Sequence, residues 1–190
     1  MILNKLITYR YFILIVMAGI CISCKHGQTS HFTKKMYVRS QIQLLVDSMT
    51  SYNRVDGPAV GIAGVKSEQW KRYELLSAKA MNHELKSLTN HNNAVVRCYA
   101  FDALVNRNDT AAYSILIKHL TDTAKVYSMI GCIGQSDMVG DWYLSHVIPN
   151  KPLLKAFSLN DKQIATIDGI LLNRKGILLK AKGRLAKNKR

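Results

Sequence analysis

A run of apolar residues from Tyr11 to Ile22 is closed by Ser23-Cys24 and followed at once by the polar Lys25-His26-Gly27-Gln28. It divides the chain before any folding pattern is considered. Lys5 and Arg10 precede the run and no acid does. A basic start, a short apolar stretch and small residues at a sharp polar break form the pattern of an export signal. The run is shorter than the roughly 20 residues that comfortably span a bilayer. Residues 1–23 are therefore set aside as a signal segment, and the fold has to be built from the rest.

The junction resembles that of bacterial lipoproteins, with Ser23 as the small residue before the cut and Cys24 as the cysteine after it. That resemblance implies a thiol carrying diacylglycerol, a new N-terminus at Cys24 and a protein held on a membrane by lipid. Lys25 stands where some lipoproteins carry the aspartate of inner-membrane retention, so the expected address is the outer membrane, facing the periplasm. Residues 24–36 read as a polar tether.

From residue 37 to 173 the expectation is a single helical domain. Only three prolines and eleven glycines occur among 190 residues, which favours helices over a many-turned sandwich. Ile42, Leu45, Val46 and Met49 are spaced for one face of a helix over 37–52. Residues 53–64 collect Gly57, Pro58, Gly61 and Gly64 and read as a breaker-rich connection. Ser67 is placed to cap a helix running to about Met81. Helices are expected over 94–106, from about Thr110 to Leu120, and over 136–147, where Val139, Tyr143 and Val147 recur. Residues 125–132 fit a short strand or an irregular helix end. Ser158 and Asp161 fit a capping box before Ile164, Ile167 and Leu171. Gly176 sets off a last basic helix.

An internal echo accompanies these helices. Leu88-Thr89-Asn90 precedes Val95, and Leu120-Thr121-Asp122 precedes Val126. Val96, Arg97, Ala100, Ala103 and Leu104 resemble the signature of a HEAT repeat. More widely, 95–101, 119–123, Gly131-Cys132 and 139–143 are similar to a group of uncharacterised Gram-negative lipoproteins with armadillo-like helices. The resemblance implies an all-α, short HEAT- or armadillo-like solenoid behind a lipoprotein signal and tether. In HEAT repeats an arginine placed like Arg97 pairs with an acid near the turn. Asn90 and His91 stand in that vicinity, and the second copy has no arginine after Val126, so an irregular array is implied.

Candidate chemistry is thin. Asp137 and Asp141, one helical turn apart, are the pair that could do acid–base work in an envelope hydrolase. His119 and Asp122 share a helical face but lack a third metal ligand, and His83-Glu84 is a single pair that reads as surface helix. The small-residue stretch Gly57 to Ser67 resembles a phosphate loop, yet Val65 separates Gly64 from Lys66. No metal or cofactor is called for. Export permits a disulfide between Cys98 and Cys132, and two buried thiols fit the same residues. Arg174, Lys175, Lys180, Lys182, Arg184, Lys187, Lys189 and Arg190 crowd 174–190, within a chain of net charge +15. This segment is suited to anionic lipid or polysaccharide. It lacks an aromatic to stack on bases, so nucleic acid is not an expected partner.

The expectation is a lipid-anchored, non-enzymatic module that docks a protein partner in the envelope, with an oligomeric state that the sequence leaves open. Mass spectrometry of the mature protein should find an N-terminus at acylated Cys24. An intact Met1 or an unmodified Cys24 contradicts this.

Overall fold

The computed structural model describes residues 38–147 and 159–173. All of these belong to one compact unit. Cys24, the tether and the basic residues Arg174, Lys175, Lys180, Lys182, Arg184, Lys187, Lys189 and Arg190 lie outside the described residues.

The described chain runs α1 (Ser40–Tyr52), β1 (Val55–Val60), β2 (Val65–Lys66), α2 (Glu68–Lys79), α3 (Asn82–Leu88), α4 (Ala94–Asn106), α5 (Ala112–His119), β3 (Lys125–Gly131), β4 (Ile133–Met138), α6 (Val139–Val147) and α7 (Asp161–Asn173). Several starts follow the sequence directly. The Ser67 hydroxyl accepts from the Gln69 and Trp70 amides, and the Asn93 side chain accepts from those of Val95 and Val96. Asn53 takes a left-handed conformation and ends α1 by donating to the Met49 carbonyl. At α7 the reciprocal cap is made by Asn160 and Gln163. Asp161 is instead the first residue of the helix, and Ser158 lies outside the described residues.

The expected all-α solenoid is incorrect. Four strands form one mixed sheet in the order β2-β1-β3-β4, so the fold is α/β. The outer pairs are antiparallel hairpins, and β1 and β3 run parallel at the centre. The misreading has a physical source. Along β3, Val126 and Ser128 are buried while Lys125 and Tyr127 are exposed. That is a period of two, and the strand alternative for 125–132 is the correct one, but its span is too short to set the fold class against the helical pattern around it. Residues 53–64, expected to be an irregular connection, are half strand, β1, and end in the turn of the β1–β2 hairpin. Pro58 sits where the β1–β3 register shifts, a place that tolerates its missing N–H. Gly61, Gly64 and Gly131 supply the positive φ of the two hairpin turns.

The internal echo is also redrawn. Val126 opens no helix; the hairpin β3–β4 intervenes after α5, and the helix expected there is α6. Val139, Tyr143 and Val147 are fully buried on it, as their spacing implies. The hairpin is closed at its base by hydrogen bonds from Val139 N–H to the Ala124 carbonyl and from Gly140 N–H to the Asp122 carbonyl. Arg97 does find an acid, on the later turn: its Nε lies 3.2 Å from Asp122 Oδ2. Its Nη1 donates to the His91 and Asn92 carbonyls.

Helix α4 is the centre of the molecule. Every residue from Val95 to Val105 is buried, and the helix packs on α1, α2, α3, α5, α6, β1 and β3. Phe101 stacks on Tyr143 with ring centres 3.9 Å apart, and Tyr99 on Tyr73 at 5.0 Å. Cys98 is wholly buried on this helix, where burial pushes its thiol far up. Cys132 is exposed in the β3–β4 turn, and both are free thiols. The disulfide weighed from sequence is therefore not formed.

Glu84, taken for a surface residue, is buried. Its carboxylate accepts from the Arg39 backbone, from Arg39 Nε and Nη2, and from the Met81 amide. The Arg39 hydrogen bonds hold its pKa down, at about 2.

The N-terminus of α6 sits hard against the end of α5, where a Cβ on Gly140 would lie 2.5 Å from the Leu120 carbonyl oxygen. Backbone on both sides leaves little room to yield. Gly140→Ala should destabilise the fold by about 2 kcal/mol, read as a lower urea midpoint at unchanged m-value. An unaltered midpoint contradicts this packing.

Candidate interaction surface

At the start of β1 the chain reads Tyr52-Asn53-Arg54-Val55-Asp56, and strand alternation puts Arg54 and Asp56 on one side. Asp56 is 1% exposed. Such a buried carboxylate needs its lone pairs filled, and four side-chain hydrogen bonds fill them. Arg54 Nε donates to Oδ1 at 2.5 Å and Nη2 to Oδ2 at 3.1 Å. Ser67 and Tyr52 donate their hydroxyls to Oδ2 at 2.6 and 3.1 Å. The strand backbone is fixed as well: the Tyr99 hydroxyl from α4 accepts from Asp56 N–H and donates to its carbonyl.

Burial on its own would raise the Asp56 carboxyl, but the hydrogen bonds from Arg54, Ser67 and Tyr52, with the Arg54 charge, outweigh it and hold the group below the usual carboxylate range. The Asp56 bond in turn raises Arg54. Tyr52 is raised by its own burial first and by that carboxylate second.

Around this anchor gathers a surface of arginine and tyrosine. The Arg54 guanidinium lies 5.1 Å from the centre of the Tyr52 ring and that of Arg72 5.8 Å, both within cation–π range. Gln69 is fully buried beneath them. Its amide donates to the Arg54 and Met49 carbonyls while its oxygen accepts from Arg72 Nη1. Val55 pairs with Ser128 in the parallel ladder, so Tyr127 on β3 stands across from Arg54, one step earlier in the register. Tyr52 and Tyr127 remain 43% and 48% exposed. The result is amphipathic, partly open and held in place by buried groups. Tyrosine and arginine are the residue types that concentrate binding energy at protein interfaces.

The sequence-based candidates fall elsewhere. Asp137 and Asp141 do not share a helical face: Asp137 pairs with Val126 in the sheet, and Asp141 is buried in the first turn of α6. His119 Nδ1 lies 3.5 Å from Asp122 Oδ2, and Arg97 reaches the same carboxylate, so the acid is shared between two side chains. The stretch resembling a phosphate loop is the β1–β2 hairpin. The Arg54–Asp56 anchor escapes sequence reasoning because the glycines and proline of 53–64 read as a connection. The alternating Arg54 and Asp56 was the available signal. It also missed Asp102, which accepts Trp142 Nε1 at 3.0 Å with His146 Nε2 3.7 Å away. No spacing rule joins residues forty positions apart.

Among the described residues, no cluster of three or more His, Cys, Asp or Glu could hold a metal ion, and no helix is long and apolar enough to cross a membrane. No family model, curated protein or solved structure matches this chain.

Removing the anchor leaves Arg54 without its acid, so Asp56→Ala should cost about 3 kcal/mol. A carboxylate held below its ordinary pKa stabilises fully above the ordinary value, and that contribution is lost as pH falls through the depressed one. Between about pH 6 and about pH 3 the urea midpoint of the wild type should therefore fall further than that of Asp56→Asn. Parallel curves contradict the assignment.

Proposed function

We propose that this protein is an exported envelope module that is tied to a membrane by lipid on Cys24 and docks another protein through the Tyr52–Arg54–Arg72–Tyr127 surface. The signal-like first 23 residues and the cysteine at their break support the address, with the outer membrane favoured and the domain facing the periplasm. The docking role is carried by one observation: two guanidinium groups and the half-exposed Tyr52 phenol are held in position by Asp56 and Gln69, side chains that are themselves buried, with the half-exposed Tyr127 on the neighbouring strand.

Pre-organisation is what makes this arrangement suited to binding. An interface that must first freeze long side chains loses part of its gain in entropy. Here Arg54 is already held by two bonds to Asp56, and Arg72 by Gln69. The partner surface that fits is one offering carboxylates or backbone carbonyls to the guanidinium planes and flat apolar contact to the rings.

A photo-crosslinking residue at position 72 or 127, in cells expressing the full chain, should give a discrete adduct with one envelope protein. The same residue at position 162, exposed on α7, should not. Tyr52→Ala should reduce the adduct at 127 at least fivefold while leaving the thermal midpoint within a few degrees. Equal adducts at 72 and 162, or none at 72 and 127, contradict the docking role.

A further inference from the structure

The parallel pairing of β1 and β3 has a geometric result: both hairpins turn at the same end of the sheet. Val60 stands opposite Gly131, and Gly61 N–H donates to the Gly131 carbonyl at 2.9 Å, so the two turns are joined. On this end sit Ile62 at 100% exposure, Ile133 at 66%, Val65 at 62% and Ile130 at 47%. Across 60–66 and 130–135 there is no acid, and the single charge is Lys66. Among the described helices no valine or isoleucine is exposed: Ile42, Val46, Val96 and Ile167 are buried, and Ile115, Ile117, Ile164 and Ile170 are partly so. A soluble surface does not ordinarily collect them on two adjoining turns.

We propose that these joined hairpin tips dock into the headgroup–acyl boundary of a lipid bilayer, Ile62, Val65, Ile130 and Ile133 entering the apolar layer and Lys66 meeting anionic headgroups. The proposal rests on the lipid anchor proposed above. Its chemistry is that of interfacial binding, which scales with buried apolar area and gains from a basic residue at the rim. The turn backbones enter only as far as this wet boundary, where their polar groups stay hydrated.

Chain length adds a second argument. The 14 residues 24–37 reach at most about 50 Å when fully extended. An anchor at Cys24 thus confines the domain to the bilayer surface, at an effective concentration of millimolar order. A tip with only millimolar intrinsic affinity then stays docked. The Tyr–Arg surface begins at the opposite end of β1, roughly 20 Å along the strand from the tips. A domain standing on its hairpin turns would hold that surface clear of the lipid.

Cys132 lies between Ile130 and Ile133 in one of the turns and is exposed, whereas Cys98 is fully buried. In the mature acylated protein Cys132 is thus the accessible thiol among the described residues, and it serves as a reporter. The full mature protein is bound to phosphatidylethanolamine–phosphatidylglycerol vesicles, floated, and treated with a sulfonated maleimide that does not cross the bilayer. Cys132 should react at least tenfold more slowly in the wild type than in Ile62→Asp/Ile133→Asp, with both proteins floating and Cys98 unlabelled in both. Both substituted side chains are exposed, so Cys98 protection is the check on folding. Equal rates in two floating proteins overturn tip docking, including the case in which the tips serve a protein partner, and leave the anchor standing. A wild type that does not float overturns the anchor and tip docking with it.

Discussion

Helix α4 is buried on all its sides, and this constraint governs the rest of the structure. A helix with one apolar stripe can leave its polar groups in water, whereas one enclosed all round must satisfy each of them within the protein. Arg97 does so through the carbonyls at 91 and 92 and through Asp122. Asp102 takes the Trp142 indole N–H. Tyr99 reaches β1, and the Arg97 carbonyl accepts the Tyr143 hydroxyl. The polar atoms of one helix thereby fix the positions of β1, α6 and the turn after α5. Removing one partner of such a set costs far more than its formation gains.

The same connections account for the surface assigned to docking. Tyr99 holds the strand that carries Asp56, and Asp56 holds Arg54 and Tyr52. The chain of contacts runs from the interior to solvent in three side chains. A rigid core is in this way continued into a surface whose residue types would otherwise be mobile. Buried charge of this kind is weak evidence for stability but a good means of fixing geometry.

Much of the helical content was legible from the chain alone. The span 94–106, the cap at Ser67 and the buried series Val139, Tyr143 and Val147 follow from local rules acting over one or two turns. The sheet did not follow, for reasons that lie in particular residues. The total of eleven glycines and three prolines pointed to helices, but their placement mattered more than their number: Gly57, Pro58, Gly61 and Gly64 fall in one hairpin and Gly131 and Gly134 in the other. Each strand is too short for its alternation to stand out. The β1–β3 pairing joins residues some seventy positions apart, where no periodicity acts. The partner of Arg97 lies not on its own turn but on the next, at Asp122. The Arg54–Asp56 anchor was hidden by reading its strand as a loop, while Glu84, polar and on a short helix, gave no sign that Arg39 would enclose it.

The central strand pair also sets an order of events as the protein forms. A parallel partner cannot be reached by a tight turn, and between β1 and β3 lie β2 and helices α2 to α5. Until that length of chain has been delivered and has condensed, β1 has only the two residues of β2 beside it. Contacts of such wide separation form late and slowly. A polypeptide emerging from its N-terminus would thus present Val55–Val60 with an open ladder for the whole time that its partner strand is still to come. During that interval the irregular register and Pro58 are useful for a reason unconnected with the finished fold. They leave the waiting strand a poor template for pairing with a second chain.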